Sequence, residues 1–283
     1  MSRGKKDRIK PPADIGVTAL VQWLKQQDRY SESLVHHRLL PAADPLYGEL
    51  VPPLPEILAH ALEQTGVTRL YSHQAEAVDA VRCGENVVVS TPTASGKTLI
   101  YNLPVLEACI RDSATRALYL FPLKALEQDQ QRKIEELTGA MDAGVSSAIY
   151  DGDTSAYRRK KILADPPNII LTNPDMLHLS VLGHHRKWEE FFRGLRYVVV
   201  DELHTYKGIF GAHFSAVAAR LRRVAAHYGS DPVFIASSAT VGNPGEFAAK
   251  LFGTEFHVVE HSGAPTAARH FVFINPREVR PAT

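Results

Sequence analysis

The sequence contains few of the features that would fix its class at once. Its 283 residues include only two cysteines, Cys83 and Cys109, which lack both the spacing of metal ligands and an oxidising setting. Each falls in a predicted helix, where we expect a buried free thiol. No apolar run approaches the roughly 18 residues of a membrane span, and Met1 to Lys10 is basic without a signal peptide's apolar stretch. These absences predict a soluble cytoplasmic protein with no membrane partner.

Net charge is also nearly absent, because 32 Lys and Arg residues face 31 Asp and Glu residues, which leaves +1. Any nucleic-acid contact must therefore come from a local surface. The 13 histidines include the adjacent pairs His36-His37 and His184-His185, which neither a helix nor a strand would direct to one ligand site. We expect no protein-only metal site. The hydrophobic content of 45% is ample for a packed core.

A phosphate-binding loop is the most informative feature that is present. The apolar run Val87 to Val89 predicts a buried strand, and Thr98 to Ile110 predicts a helix, so Gly96-Lys97-Thr98 lies where loop amides and a helix N-terminus converge. Backbone N–H groups in such a loop hold phosphate oxygens, the lysine reaches the β- and γ-phosphates, and the Thr98 hydroxyl coordinates Mg²⁺. Thr91 replaces the usual first glycine, which disfavours a generic kinase or small GTPase.

Strand-like and helix-like runs alternate from Asn86 onward. Near-continuous apolar strands separated by helices predict an α/β fold, with a mostly parallel sheet covered by helices on both faces. Ligands should gather at the carboxyl ends of the strands. The further predicted strands are 116–121, 147–150, 168–171, 197–200 and 233–236.

Two adjacent carboxylates, Asp201 and Glu202, follow the predicted strand at 197–200. An aspartate there suits a Mg²⁺ ion that Thr98 and phosphates also hold, and the glutamate can orient or deprotonate the attacking water. An Asp-Glu pair alone is more often a solvated helix start. The preceding strand and the upstream loop favour the metal site, and they predict hydrolysis of the nucleotide.

Six segments resemble the motifs of superfamily-two, DEAD/DEAH-box-like helicases, and they follow one another along the chain in the order of that family. Motifs I, II and III correspond to Thr93 to Thr98, Asp201 to His204 and Ser238 to Thr240. Motif Ia, the glycine motif and motif Ib correspond to Pro122 to Leu126, Tyr150 to Thr154 and Thr172 to His178. The fuller strings at 70–74, 121–126 and 201–206 are most similar to the mitomycin-repair DNA helicases and their RecQ-four-like fungal relatives. The resemblance covers roughly residues 34–276.

This resemblance implies a RecA-like, ATP-binding motor domain that acts on single-stranded DNA, such as the tail of a 3'- or 5'-tailed duplex, in DNA repair. Lys97, Asp201, Glu202 and His204 would be catalytic. A residue like His204 contacts motif III, so Ser238 and Thr240 would couple the nucleotide state to the nucleic-acid surface. The implied nucleotide-binding residues are Tyr71, Gln74, Thr93, Ala94, Ser95, Gly96, Lys97 and Thr98.

Gln74 resembles the adenine-reading glutamine of the family, and its amide can pair with N6 and N7 of adenine. Tyr71 would stack on the base or shelter it. The alternative is a solvated glutamine on a helix face.

The nucleic-acid face implied by the resemblance binds mainly phosphates. Asp175 is expected to cap its helix rather than to contact DNA. The basic run 158–161 either extends this face or is a solvated helix surface. Trp23 and Trp188 are expected in the core. The implied nucleic-acid residues are Pro122, Lys124, Gly152, Thr154, Thr172 and Pro174.

We expect an N-terminal extension at 1–65, the RecA-like ATP-binding domain at 66–262, and a β-rich end with the start of a linker at 263–283. Nothing after Thr240 resembles motif V or the arginine-rich motif VI. The chain is therefore expected to be a fragment and a poor ATPase, whose missing second RecA-like domain supplies an arginine to the phosphates. The alternative is a nucleotide-gated nucleic-acid clamp without motor activity, and a continuation carrying motifs IV to VI would favour the motor.

Overall fold

The computed structural model describes residues 16–275 except 28–29, 31–32 and 142. The predicted linker from Arg277 lies outside the described residues. The chain divides into two compact units, of which the larger is Leu46–Ala264, and the smaller combines the residues up to Pro45 with those from Pro265.

A parallel sheet of seven strands forms the centre of the larger unit. Its strands are β4 (Val87–Ser90), β5 (Arg116–Leu120), β6 (Ser147–Ile149), β7 (Ile169–Thr172), β8 (Leu195–Val200), β9 (Val233–Ser238) and β10 (His257–Val259). Their order across the sheet is β10-β4-β9-β8-β5-β7-β6, and this sheet confirms the predicted α/β class. Two short strands, β2 (Tyr47–Gly48) and β3 (Leu70–Tyr71), pair antiparallel in the same unit.

Successive residues of the strands enter two different cores, one on each face of the sheet. Val87 and Val89 pack with the helices of one face, whereas Val88 packs with those of the other. All three are fully buried, and burial of such a side chain stabilises the fold by roughly 1.5–3 kcal/mol. Because both faces need apolar side chains, the strands are continuous apolar runs, which is why their positions could be predicted.

The helices of the larger unit cover both faces. They are α2 (Glu56–Gln64), α3 (Ser72–Arg82), α4 (Thr98–Arg111), α5 (Lys124–Met141), α6 (Ala156–Ala164), α7 (Pro174–Met176), α8 (Glu189–Arg193), α9 (Gly208–His227) and α10 (Pro244–Phe252). A π-helical turn and a 3₁₀ segment join α7 to α8, and a 3₁₀ turn at Leu203–Thr205 follows β8. In the described part of the chain, no helix is both long enough and apolar enough to cross a membrane.

The smaller unit contains α1 (Val17–Gln26) and a two-stranded antiparallel ribbon. The ribbon pairs β1 (Leu34–Leu40) with β11 (Arg269–Ile274), so distant parts of the sequence meet in it. Their pairing was not predicted.

Two local predictions need correction or refinement. Cys83 is exposed at the end of α3, so the expectation of a buried thiol is wrong for it, although Cys109 is buried in α4. Trp188 lies in the core as predicted. Trp23 is only half-buried, and the centroids of its ring and the Tyr30 ring are 6.5 Å apart. The exposure of Cys83 follows from its place after the last helical turn, where the apolar face of α3 ends.

Candidate nucleotide and nucleic-acid site

The phosphate-binding loop connects β4 to α4 through a tight backbone path. Ala94 and Gly96 both have left-handed backbone angles, with φ of 65° and 79°, and such a conformation costs an alanine roughly 1–2 kcal/mol. The Thr91 and Ser95 hydroxyl oxygens lie 2.7 Å apart across the loop. The Lys97 ammonium donates to the carbonyls of Thr91, at 2.8 Å, and Pro92, at 3.0 Å. The loop therefore holds the lysine charge close to its own backbone.

Gln74 holds this loop from α3. Its Oε1 accepts from the Tyr71 N–H and its Nε2 donates to the Gly96 carbonyl, both at 2.9 Å. The side chain is 2% exposed, so the alternative of a solvated helix-face glutamine is wrong. A Cβ atom on Gly96 would lie 2.5 Å from Gln74 Nε2. With the left-handed φ of 79°, a side chain there would be strained and would displace the Gln74 amide. Tyr71 stacks against Tyr47, with ring centroids 5.7 Å apart.

Asp201 follows β8, and its carboxylate has three neighbours. Oδ1 accepts from the Glu202 N–H at 2.9 Å and from the Ser237 hydroxyl, whereas the Tyr101 hydroxyl lies 3.5 Å from Oδ2. Glu202 has a left-handed backbone, with φ of 53°, which turns the chain sharply at the end of the strand. These contacts fix the orientation of the Asp201 carboxylate.

The phosphate loop and the acidic pair are electrostatically coupled. Burial lowers the pKa of Lys97, while the Glu202 and Asp201 carboxylates act in the opposite direction. The pKa of Tyr101 is raised by burial and then by the negative charge of Asp201. The structure thus brings Lys97, Asp201 and Glu202 to one region at the carboxyl edge of the sheet.

His204 connects the acidic pair to the segment after β9. Its Nδ1 lies 3.3 Å from the Ala239 N–H and also 3.3 Å from Glu202 Oε2. A single ring nitrogen cannot serve both partners at once, because it accepts from Ala239 when unprotonated and donates to Glu202 when protonated. The position of the imidazole proton therefore selects which partner His204 holds.

Motif III lies between the other two motifs, because β9 is flanked by β4 and β8. Ser238 is buried and its Oγ has no hydrogen-bond partner among the described residues, whereas Thr240 is exposed. Two unpredicted serines position this segment. Ser237 holds Asp201, and the Ser90 Oγ donates to the Ala239 carbonyl and accepts from the Val241 N–H, each at 3.2 Å. Their only sequence signal is a small hydroxyl side chain at the end of a strand.

The predicted nucleic-acid residues separate into exposed and buried groups. The Lys124 ammonium is 2.7 Å from the Asp153 carboxylate, and a Cβ atom on Gly152 would lie 3.6 Å from the same nitrogen. Thr154 is half-buried, and its hydroxyl lies 2.8 Å from Asp151 Oδ1. Lys124, Gly152 and Thr154 therefore form one cluster, which is defined here as the basic loop cluster.

The two candidates at the end of β7 and directly after it, Thr172 and Pro174, are less accessible. Thr172 is fully buried, and its hydroxyl donates to the Tyr150 carbonyl. Pro174 is also buried, at the start of α7, while Pro122 is half-buried. The expectation that Asp175 caps this helix is wrong, because the Asn173 side chain accepts from the Met176 N–H at 3.0 Å. Asn173 precedes the first helical residue with an extended backbone, which is the geometry that capping requires.

A phosphate-binding loop and an acidic pair at the carboxyl ends of nearby parallel strands define a P-loop nucleotide-binding domain. A model of the DEAD/DEAH box helicase family matches residues 71–247. The chain belongs to this family, as its motifs predicted, and its fold is the RecA-like fold of helicase domains.

Individual relatives agree with this assignment. The chain is 49% identical over 228 residues to the ATP-dependent helicase YprA of Bacillus subtilis, covering 79% of this chain and 30% of YprA. It is 35% identical over 272 residues to the ATP-dependent helicase hrq1 of Schizosaccharomyces pombe, covering 94% of this chain and 26% of hrq1. The crystal structure of the helicase MrfA bound to DNA aligns with a TM-score of 0.89 at 44% identity, covering 94% of this chain and 37% of MrfA. The chain thus spans between about a quarter and just over a third of each relative.

Proposed function

We propose that this chain is the first, ATP-binding motor domain of a DNA helicase or translocase that acts on single-stranded DNA in the cytoplasm, with DNA repair as the implied pathway. Hydrolysis coupled to strand movement requires a second RecA-like domain. The observation that carries the proposal is the convergence of Lys97, Asp201 and Glu202 at one edge of the sheet. MrfA, which has also been crystallised with both DNA and AMPPNP, supports the choice of ligands.

Mg²⁺ fits the residues that are present. The Asp201 carboxylate, oriented by Ser237, and the Thr98 hydroxyl at the start of α4 are hard oxygen donors of the kind that Mg²⁺ prefers. The bound ion would neutralise charge on the phosphates. Lys97 supplies a compact positive charge, the loop amides bind phosphate oxygens, and Glu202 orients and deprotonates the attacking water.

The nucleotide base would lie near the start of α3. Gln74 is fixed against the phosphate loop, and Tyr71 stacks in the adjacent aromatic pair. Recognition of adenine by the Gln74 amide rests on the family resemblance. It would use the second Nε2 hydrogen and the second Oε1 lone pair, because Gly96 and Tyr71 occupy the others. We infer that ATP is the preferred nucleotide.

Replacement of Lys97 by alanine tests the nucleotide site. The variant loses a charge-assisted contact with the phosphates, so its affinity for ATP with Mg²⁺ should fall by a factor of about 10–100. Titration with a fluorescent ATP analogue measures this. Lys250→Ala is the matched control, because Lys250 pairs with the neighbouring Glu246 on the surface of α10. Equal affinity of Lys97→Ala and the control would show that this loop is not the site.

A further inference from the structure

His73 is a buried imidazole whose two nitrogens both have backbone partners. The residue is 0% exposed. Its Nε2 lies 3.0 Å from the Ser95 carbonyl, and its Nδ1 lies 3.1 Å from the Gly263 N–H. Since the carbonyl can only accept and the N–H can only donate, the ring is neutral, with its proton on Nε2. Burial lowers the pKa of His73, while the hydrogen bond to the Ser95 carbonyl opposes that shift and the nearby Lys97 charge adds to it. The net lowering favours the same neutral form.

The first of these partners belongs to the phosphate loop. Ser95 lies between the two left-handed residues Ala94 and Gly96, and its hydroxyl contacts Thr91 across the loop. His73 and Gln74 therefore hold the successive carbonyls of Ser95 and Gly96. Any movement of this loop has to move or break the contact with the imidazole.

The second partner, Gly263, belongs to the segment through which the chain leaves the larger unit. Residues 263–264 are defined here as the exit segment. Gly263 lies two residues before Pro265, where the smaller unit resumes. Its carbonyl accepts from the Leu46 N–H at 2.8 Å, and the Leu46 carbonyl accepts from the Ser72 N–H at 2.9 Å. A Cβ atom on Gly263 would lie 2.4 Å from both the Leu46 carbonyl and the Ser72 hydroxyl. The first residue of the larger unit and the exit segment are therefore both packed against the start of α3.

We propose that His73 is a positioning residue that transmits the conformation of the phosphate loop to the exit segment at Gly263. This inference rests on the proposed nucleotide site. The imidazole is rigid, so a displacement of the Ser95 carbonyl moves the acceptor of the Gly263 N–H, whereas a flexible side chain would absorb the movement. Nucleotide binding therefore changes the hydrogen bonding of the segment that leads out of the nucleotide-binding unit.

Two substitutions of His73 each remove one of its two hydrogen bonds and can keep the other. In His73→Gln, the longer side chain can place an amide donor near the Ser95 carbonyl, but it leaves Gly263 without its acceptor. In His73→Asn, the shorter side chain can accept from Gly263 but does not reach Ser95. His60→Gln is the control, because His60 is exposed on α2 and bonds to Gln64 within the same helix.

The test measures hydrogen–deuterium exchange at the Gly263 amide in the 283-residue chain, with and without AMPPNP and Mg²⁺. The neighbouring Ala264 amide is an internal reference, because it donates to the Ser262 hydroxyl at 3.2 Å. Nucleotide should change the exchange rate at Gly263 several-fold in the wild type and in His60→Gln. Both His73 variants should bind nucleotide and lose this response, with basal protection of Gly263 kept in His73→Asn and lost in His73→Gln.

The wild-type protein alone tests the inference, even if a His73 variant does not fold. Wild-type protein that binds AMPPNP without any change at Gly263 would overturn the role of His73 and leave the proposed function intact. A folded His73 variant that keeps the full response at Gly263 would also overturn it. Wild-type protein that binds no nucleotide in a separate titration would overturn the proposed function, and the inference with it.

Discussion

Glu127 is a fully buried carboxyl group in α5. Its Oε1 accepts from Asn173 Nδ2 at 3.3 Å, and its Oε2 has no partner among the described residues. Burial raises the pKa of Glu127 to about 7, and the bond from Asn173 opposes that shift. The residue therefore changes its charge near neutral pH, within a region that joins motifs Ia and Ib.

Glu127→Gln should make the protein relatively more stable at high pH. A carboxyl group whose pKa is raised from 4.5 to about 7 on folding contributes stability below pH 4.5 and loses that contribution as the pH rises through 7. The amide does not ionise. Between pH 4.5 and 8 the difference in free energy of unfolding between variant and wild type should therefore shift by about 3 kcal/mol in favour of the variant.

Urea unfolding at pH 4.5 and pH 8 measures this shift. Glu136→Gln is the control, because Glu136 is exposed on the same helix. Glu127→Gln and the control should differ only at the higher pH. A difference between them that does not depend on pH would show that Glu127 does not titrate in the buried position.

The basic loop cluster forms where two elements meet, because Lys124 begins α5 and Gly152 and Thr154 follow the end of β6. The Lys124 ammonium reaches from the first turn of α5 to Asp153, and the pair is exposed to solvent. A DNA phosphate would have to compete with the Asp153 carboxylate for this charge. The pairing therefore limits the strength of phosphate binding at the cluster.

Lys124→Ala should weaken binding of single-stranded DNA and flatten its salt dependence. Loss of one phosphate contact reduces the slope of log affinity against log salt by roughly 0.7 for a single strand. Anisotropy titrations of homopolymeric and mixed strands at several salt concentrations measure the slope, which should be nearly independent of base composition.

Lys133→Ala is a closely matched control, since Lys133 lies on the same helix, pairs with Asp129 at 2.6 Å and has a side chain 47% exposed, against 48% for Lys124. An identical loss of affinity in both variants would indicate a general effect of charge. Strong preference for one base sequence would contradict a surface that contacts phosphates.

Sequence reasoning located the central strands because their burial on both faces demands continuous apolar runs. It also predicted that Lys97, Asp201 and Glu202 would lie near one another, since ligand-binding residues gather at the carboxyl ends of parallel strands, and the structure brings the three together. It did not find the pairing of β1 with β11, which depends on residues far apart in the chain. It also missed the contacts of His73 and Ser237, because their hydrogen-bond partners are far away in the sequence and only the fold brings them near.

At the scale of the whole molecule, the larger unit contains every predicted nucleotide residue, and the chain covers only 30% of YprA. The proposed function therefore assigns nucleotide binding to these residues and assigns turnover to a larger assembly. A second RecA-like domain would supply an arginine to the γ-phosphate, a contribution worth roughly 10³-fold or more in related phosphate-transfer sites.

The most direct test of this account is the steady-state rate of ATP hydrolysis with saturating single-stranded DNA, compared between residues 1–283 and the same chain extended to include a second RecA-like domain. The extended protein should hydrolyse ATP in a DNA-stimulated manner, and Glu202→Gln should reduce that rate by a factor of about 10²–10⁴ without loss of nucleotide binding. The chain of 283 residues should bind ATP and turn it over slowly. A DNA-stimulated rate in the shorter chain equal to that of the extended protein, or an undiminished rate in Glu202→Gln, would contradict the account.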